Sequence, residues 1–222
     1  MLFRSPKTPK PLGFLTEIIK EMAQKAQSHH AKQGENIFAK NPKVSAELLA
    51  LTYGAFVQRL IKEDGGSSSG SGENAEEVNA ILDKMGFNIG QRMVDEFFAK
   101  APQQGLCKDL NDTAKVIGEQ AFKMFLGVTA EVANYDAEAK AFSLILRENP
   151  LADFVILPAA YSNKLWYSNI LCGVIRGALE MLNMKVIAYF RRDILRGHDL
   201  TEIRVELKEI LKDKYEDDDD EK

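Results

Sequence analysis

The chain has 222 residues, 45% of them apolar and 28% charged, with 29 Lys+Arg against 33 Asp+Glu and a net charge of −4. That composition supports a packed core, excludes a fibrous or wholly disordered chain, and argues against a nucleic-acid coat, which needs surplus cations to neutralise phosphate. Two cysteines and three histidines supply neither a disulfide framework nor the ligands of a structural zinc site.

Charge is unevenly placed. Residues 1–43 hold eight Lys/Arg and three acids, whereas the last ten hold seven acids and two lysines. Near the start, Arg4, Lys7 and Lys10 precede Leu12–Leu15, but Glu17, Lys20 and Glu21 then break any secretory core. No apolar run approaches the roughly 20 residues of a membrane span, so a soluble chain in a reducing compartment is expected. Phe14, Leu15, Ile18, Ile19, Met22 and Ala26 are spaced to form a short amphipathic helix over 14–28, on an otherwise polar, basic extension 1–43.

A single domain is expected over 44–211. From Ser45, Leu48, Leu49, Thr52, Ala55, Phe56, Leu60 and Ile61 make a broad apolar helical face. The Gly/Ser loop 65–72 has almost no side chain to bury and interrupts the domain as a flexible connection. A second helix runs from about Asn74 to Pro102, with Gly86 and Gly90 one turn apart for close approach by a neighbour. A third spans Asp109 to Leu126, capped by Asp109 or Asn111 and ended by Gly127. Phe142–Leu146 and Phe154–Leu157 read as strands bounded by Pro150 and Pro158. Trp166–Asn183 is apolar on nearly every face, the mark of a buried helix, and contains Gly173 and Gly177. Lys185–Asp193 and Thr201–Lys208 form a hairpin around Arg196–Asp199, its second strand strictly alternating. The order gives an α+β fold, helices first and then an antiparallel sheet wrapped by a buried helix, with an acidic tail over 212–222.

Candidate chemistry is sparse. No glycine-rich loop leads to a Lys-Ser/Thr pair, and Gly173-Val174-Ile175-Arg176-Gly177 lies inside a helix. His29 and His30 fall on the polar extension and His198 in a turn, as solvated groups, and no carboxylate stands in an apolar context. The cysteines differ. Cys172, within Ile170-Leu171-Cys172-Gly173-Val174, is a small packing residue. Cys107 precedes a helix start, where the helix's positive end and Lys108 favour thiolate. Its reading stays open between a surface thiol, a nucleophile and a site of modification, S-acylation included.

Several long strings then carry a resemblance: Leu51-Thr52-Tyr53-Gly54-Ala55, Leu82-Asp83-Lys84-Met85-Gly86-Phe87-Asn88-Ile89-Gly90, Ala121-Phe122-Lys123-Met124-Phe125-Leu126-Gly127, Asn149-Pro150-Leu151-Ala152-Asp153-Phe154-Val155 and Tyr167-Ser168-Asn169-Ile170-Leu171-Cys172-Gly173 onward to Met181. Over about Ser45 to Leu207 the chain resembles the small acylated core subunits of the transport protein particle (TRAPP) vesicle-tethering complex. The resemblance implies four main helices on one side of a twisted four-stranded antiparallel sheet, with an internal hydrophobic channel. It implies palmitate in thioester linkage at Cys107, with Ala114, Ile117, Gly118, Ala121 and Met124 beside the acyl chain. Burying ~15 methylenes at ~0.8 kcal/mol each is an upper bound of about 12 kcal/mol, enough to make the lipid a core component rather than a membrane anchor. One position departs from the pattern: Leu106 stands where a basic residue is implied.

The function implied is that of a non-catalytic subunit in ER-to-Golgi transport, peripheral at cis-Golgi and endoplasmic reticulum membranes. Its partners would be other small TRAPP subunits, as heteromers or a homodimer, and a Rab GTPase on which the assembled complex performs guanine nucleotide exchange. Lys208 and Tyr215 would lie near that GTPase. The alternative is a lipid-binding or thioester-handling protein that turns acyl groups over at Cys107.

Overall fold

The computed structural model describes residues 29–63, 72, 74–102, 105, 107, 109–136, 138 and 140–211. The expected helix over 14–28, nearly all of the 65–72 loop and the acidic tail lie outside these residues. Helices α1 (His29–Lys40), α2 (Ala46–Glu63) and α3 (Ala75–Lys100) come first. They are followed by α4 (Leu110–Lys115), a π-helical turn (Val116–Ala121) and α5 (Phe122–Leu126), which run on as one rod. Strands β1 (Glu131–Ala133) and β2 (Ala141–Leu146), the single turn α6 (Ala159–Ser162), the buried α7 (Ile170–Glu180) and the hairpin β3 (Met184–Arg192) and β4 (Thr201–Ile210) complete an α+β fold.

The four strands pair antiparallel in the order β1-β2-β4-β3. Register sets Phe142 beside Val205 and Leu144 beside Ile203, all four fully buried. The alternation read in β4 follows from this placement, since Ile203 and Val205 are fully buried in the main core while Arg204 and Glu206 between and beyond them are only half-buried.

The helical layer is organised by the two glycine pairs. A Cβ built on Gly86 would collide with the Ile170 carbonyl, on Gly90 with that of Val174, on Gly173 with that of Asp83, and on Gly177 with that of Phe87. The backbones of α3 and α7 therefore touch directly over two turns, an approach no larger residue permits. Arg176 flanks the contact, hydrogen-bonding Asp83 with its guanidinium 4.7 Å from the centre of the Phe87 ring.

Three sequence expectations are corrected. Phe154–Leu157 is not a strand: Phe154 sits at φ 63° and is 75% exposed, Ile156 is 95% exposed, and both edges of β2 are taken by β1 and β4. The fourth strand is instead Glu131–Ala133, whose three residues are too few to show a period. The polar stretch after residue 28 is helical, and Gly34 is buried against the Glu119 carbonyl of the π turn. The buried helix is also shorter than expected, with turns at Trp166–Asn169 and Asn183 in the left-handed region.

Replacing Gly177 by Val should cost about 3 kcal/mol in urea unfolding, because the clash is with backbone that cannot rotate away. Gly105→Ala, where an added Cβ meets nothing within 4 Å, should stay within about 0.5 kcal/mol. Equal costs at the two sites would refute the close-approach explanation.

Candidate functional site

The start of α4 positions Cys107. Asp109 adopts an extended N-cap conformation, its carboxylate accepts the Asp112 backbone N–H at 2.8 Å, and the Thr113 hydroxyl donates to the Asp109 carbonyl at 2.9 Å. Two residues upstream of this cap, Cys107 is half-buried. Its surroundings do not favour thiolate as the sequence suggested. Burial pushes the thiol up from its ordinary value, the Thr113 hydroxyl offsets part of that, and the carboxylates of Asp112 and Asp109 add to the rise. A helix end that caps itself with acids cancels the positive potential it would offer a sulfur. Cys172 lies in the main core, where burial holds its thiol far higher still, as its packing role requires.

Cys107 opens onto an apolar cavity of about 370 Å³. One wall comes from α3 through Met93, Val94, Phe97 and Phe98, the opposite wall from α7 through Val174, Ala178 and Leu179, and α2 contributes Leu49 and Tyr53. The π turn and α5 close the side with Val116, Ile117, Ala121, Phe122 and Phe125. Tyr53 and Thr113 are the hydroxyl-bearing residues on this wall, and both are satisfied: Tyr53 Oη donates to the Tyr167 carbonyl at 2.5 Å. Among the described residues, no histidine and no carboxylate lines the cavity.

The residues singled out along 114–124 separate. Ile117 and Ala121 face the cavity, but Ala114, Gly118 and Met124 do not. Ala114 is buried in the main core, and Met124 packs with Phe97, Ala101 and Val116. Gly118 turns toward β1, where its carbonyl accepts the Ala130 N–H at 2.8 Å and an added Cβ would strike the Ala130 carbonyl. The wide π turn is the cause, because its longer period rotates Gly118 and Gln120 outward while keeping Ile117 and Ala121 on the cavity side. Neither that turn nor the contribution of α2 was legible, although Met93, Val94, Phe97 and Phe98 on α3 follow the glycine pair as large apolar residues.

His30 is not solvated as expected. Its side chain is 20% exposed, with Nε2 3.3 Å from Asp112 Oδ1 and Nδ1 2.7 Å from Gln120 Nε2. Lys123 extends the clasp, pairing with Glu35 at 2.8 Å. His198 lies in its turn as read, with Nδ1 3.1 Å from the Asp193 carbonyl oxygen. Lys208 is on β4, bonded to Glu206 at 2.8 Å, while Tyr215 lies outside the described residues.

With this geometry in hand, comparison with known proteins is specific. Residues 49–206 match the family described as transport protein particle (TRAPP) component. The chain is 49% identical over 183 residues to transport protein particle subunit bet3 of Schizosaccharomyces pombe, covering 82% of this chain and 94% of that one. It is 43% identical over 194 residues to trafficking protein particle complex subunit BET3 of Saccharomyces cerevisiae, covering 86% and 96%. Among solved structures, a trafficking protein particle complex subunit 3 from Naegleria fowleri, covalently bound to palmitic acid, superposes with a TM-score of 0.70 at 45% identity, covering 76% of this chain and 98% of that one. The matched span takes in the α3–α7 contact, the whole sheet but its last strand residues, and every wall of the cavity: the chain belongs to the TRAPP component family.

Proposed function

We propose that this chain is a core subunit of a TRAPP-type tethering complex in ER-to-Golgi vesicle transport, and that its cavity holds a palmitoyl chain in thioester linkage to Cys107. The observation that carries the reading is the apolar cavity itself, with a cysteine on its wall and, among the described residues that line it, no carboxylate, histidine or other charged side chain. The cavity, about 370 Å³, is open on one side, so an acyl tail could enter it and bury its length against the apolar wall. A palmitoyl tail buried there is worth up to about 12 kcal/mol, which rivals the whole stability of an ordinary domain. The palmitate of the Naegleria fowleri structure supports the same assignment.

In this reading the lipid is part of the core. Partners are other small TRAPP subunits, as heteromers or a homodimer, and membrane contact at the cis-Golgi and endoplasmic reticulum is peripheral, through the assembly. The complex, not this subunit alone, acts as exchange factor on a Rab GTPase. Exchange needs only binding energy that favours the open nucleotide pocket, so it requires no catalytic group here. The end of β4, from Lys208 through Tyr215, is the segment proposed to face the GTPase. A turnover enzyme at Cys107 is disfavoured by the raised thiol and the two carboxylates that help raise it.

Three outcomes are expected. Ala121→Trp fills the cavity beside the sulfur. Displacing about three methylenes at ~0.8 kcal/mol each should lower the acylated fraction roughly fiftyfold by intact mass, while circular dichroism stays native. Alkylation of non-acylated Cys107 by iodoacetamide should be slow at pH 7 and climb as pH passes above the ordinary thiol range. Since Asp109 and Asp112 raise the thiol, Asp109→Asn with Asp112→Asn should shift that climb to lower pH, the Asn preserving the cap. Finally, tagged chain isolated from its own cells should bring small TRAPP subunits with it, and that assembly should speed GDP release from a Rab GTPase; recovery as a lone monomer would sink the tether reading.

A further inference from the structure

Helix α1 has an inward and an outward side of different character. Inward, Gly34 lies against the Glu119 carbonyl, His30 meets Asp112 and Gln120, and Ile37 packs in the cluster of Phe97, Val116 and Met124. Those contacts fix the helix to the rod, and with it the point at which the preceding residues join the domain. Outward, Lys32 and Lys40 are exposed, as is Lys43 just beyond the helix end. Four lysines gather at that end. Lys40 and Lys100 stand together in the last turns of α1 and α3, and Lys43 and Lys123 reach the Phe38 ring with Nζ 4.5 and 5.1 Å from its centre. Two acids are with them, each joined to one lysine: Glu96 to Lys100 at 2.5 Å and Glu35 to Lys123 at 2.8 Å. Among the described residues, no carboxylate pairs with Lys40 or Lys43.

The distribution of charge over the whole chain gives this cluster a direction. Residues 1–43 hold eight Lys/Arg and three acids, while residues 44–222 hold 21 Lys/Arg and 30 Asp/Glu. An anionic surface therefore attracts one end of the chain and repels the rest. The same end carries an apolar stripe: wound as a helix, Phe14, Leu15, Ile18, Ile19 and Met22 fall on one side, with Glu17, Lys20 and Gln24 on the other. Cations beside an apolar stripe are the composition of a segment that lies in the headgroup layer of a bilayer. A nucleic acid would use the cations and leave the stripe without a role.

We infer that the basic N-terminal end, residues 1–43 together with the lysines gathered at the end of α1, is a binding surface for anionic lipid bilayers. The apolar stripe of 14–28 enters the headgroup layer, Arg4, Lys7 and Lys10 add charge upstream of it, and Lys40, Lys43 and their neighbours rest on the lipid phosphates. Because α1 is clasped to the rod, the bilayer is met on one side of the domain, with the acidic remainder of the chain turned away. This contact is direct and is made in addition to any made through partner subunits. It needs no acyl group on Cys107, so it stands or falls apart from the lipid reading above.

The test is flotation of the full chain, shown by intact mass to carry no lipid, with vesicles of phosphatidylcholine alone or of a phosphatidylcholine and phosphatidylserine mixture. The chain should float with the mixed vesicles only, and high salt should release it. Lys40→Gln with Lys43→Gln should weaken partitioning about thirtyfold, at about 1 kcal/mol per lysine, with urea unfolding unchanged. Lys185→Gln with Lys208→Gln removes the same charge from exposed positions on the β3–β4 hairpin and should leave flotation nearly unchanged. Ile18→Glu with Ile19→Glu should abolish it. Wild-type chain that stays unfloated with the mixed vesicles overturns the proposal and leaves the basic end to a protein partner. Equal losses in the two lysine pairs overturn it as well, because the effect is then one of net charge, and so does flotation that survives Ile18→Glu with Ile19→Glu.

Discussion

Everything in this domain is arranged around the contact between α3 and α7. Four glycines, two on each helix, bring the two backbones together so closely that a single added Cβ at any of them would meet a carbonyl oxygen. This fixes α7 between α3 and the sheet, and it also decides where the fold stays open. Helix α3 has 26 residues and is about 39 Å long at 1.5 Å per residue, yet its glycine contact ends at Gly90. Beyond that point the side chains become Met93, Val94, Phe97 and Phe98, too large for the same approach, and the space they hold open is the cavity. Tight packing at one end of the pair and a void at the other are two results of one sequence pattern.

The π turn finishes the enclosure. A regular helix through 110–126 would continue the three-and-four repeat of Ala114, Ile117, Gly118 and Ala121 along one side. With the wider turn, Gly118 receives β1 on the outside and Gln120 meets α1, while Ile117 and Ala121 remain within. One irregularity thus serves three neighbours: the short strand, the first helix and the cavity wall. The small size of Ala121 also matters, because any larger residue there would occupy the space next to the sulfur.

What the residues revealed in advance follows from the range over which each signal acts. The glycine pairs, the Asp109 cap, the Gly127 stop and the alternation of β4 are local patterns with one physical solution each, and they were legible. The apolar run Phe154–Leu157 was misread because a strand is defined by its partner, and both sides of β2 were already taken. Helix α1 escaped notice since its stability comes from Gly34, His30 and Glu35 meeting groups 82 or more residues away, not from a strong apolar face of its own. The thiolate expectation for Cys107 failed for a related reason. It weighed the helix end and Lys108 but not the acids that cap that end, and burial then adds to their effect.

That failure bears on how the subunit works. A thiol that sits above its ordinary value is a slow nucleophile at neutral pH, unsuited to repeated turnover but adequate for a modification made once. In the proposed acylated form the titration of the sulfur would no longer matter, and the same half-buried, acid-flanked setting would have the opposite merit. It would shield the thioester carbon from water, and the negative potential of Asp109 and Asp112 would resist the approach of hydroxide and of other thiolates. A tail held there would meet, among the described residues of the wall, no histidine or carboxylate to activate water. A slow gain and a slower loss are what the proposed structural lipid needs, and the carboxylates at the start of α4 would contribute to both.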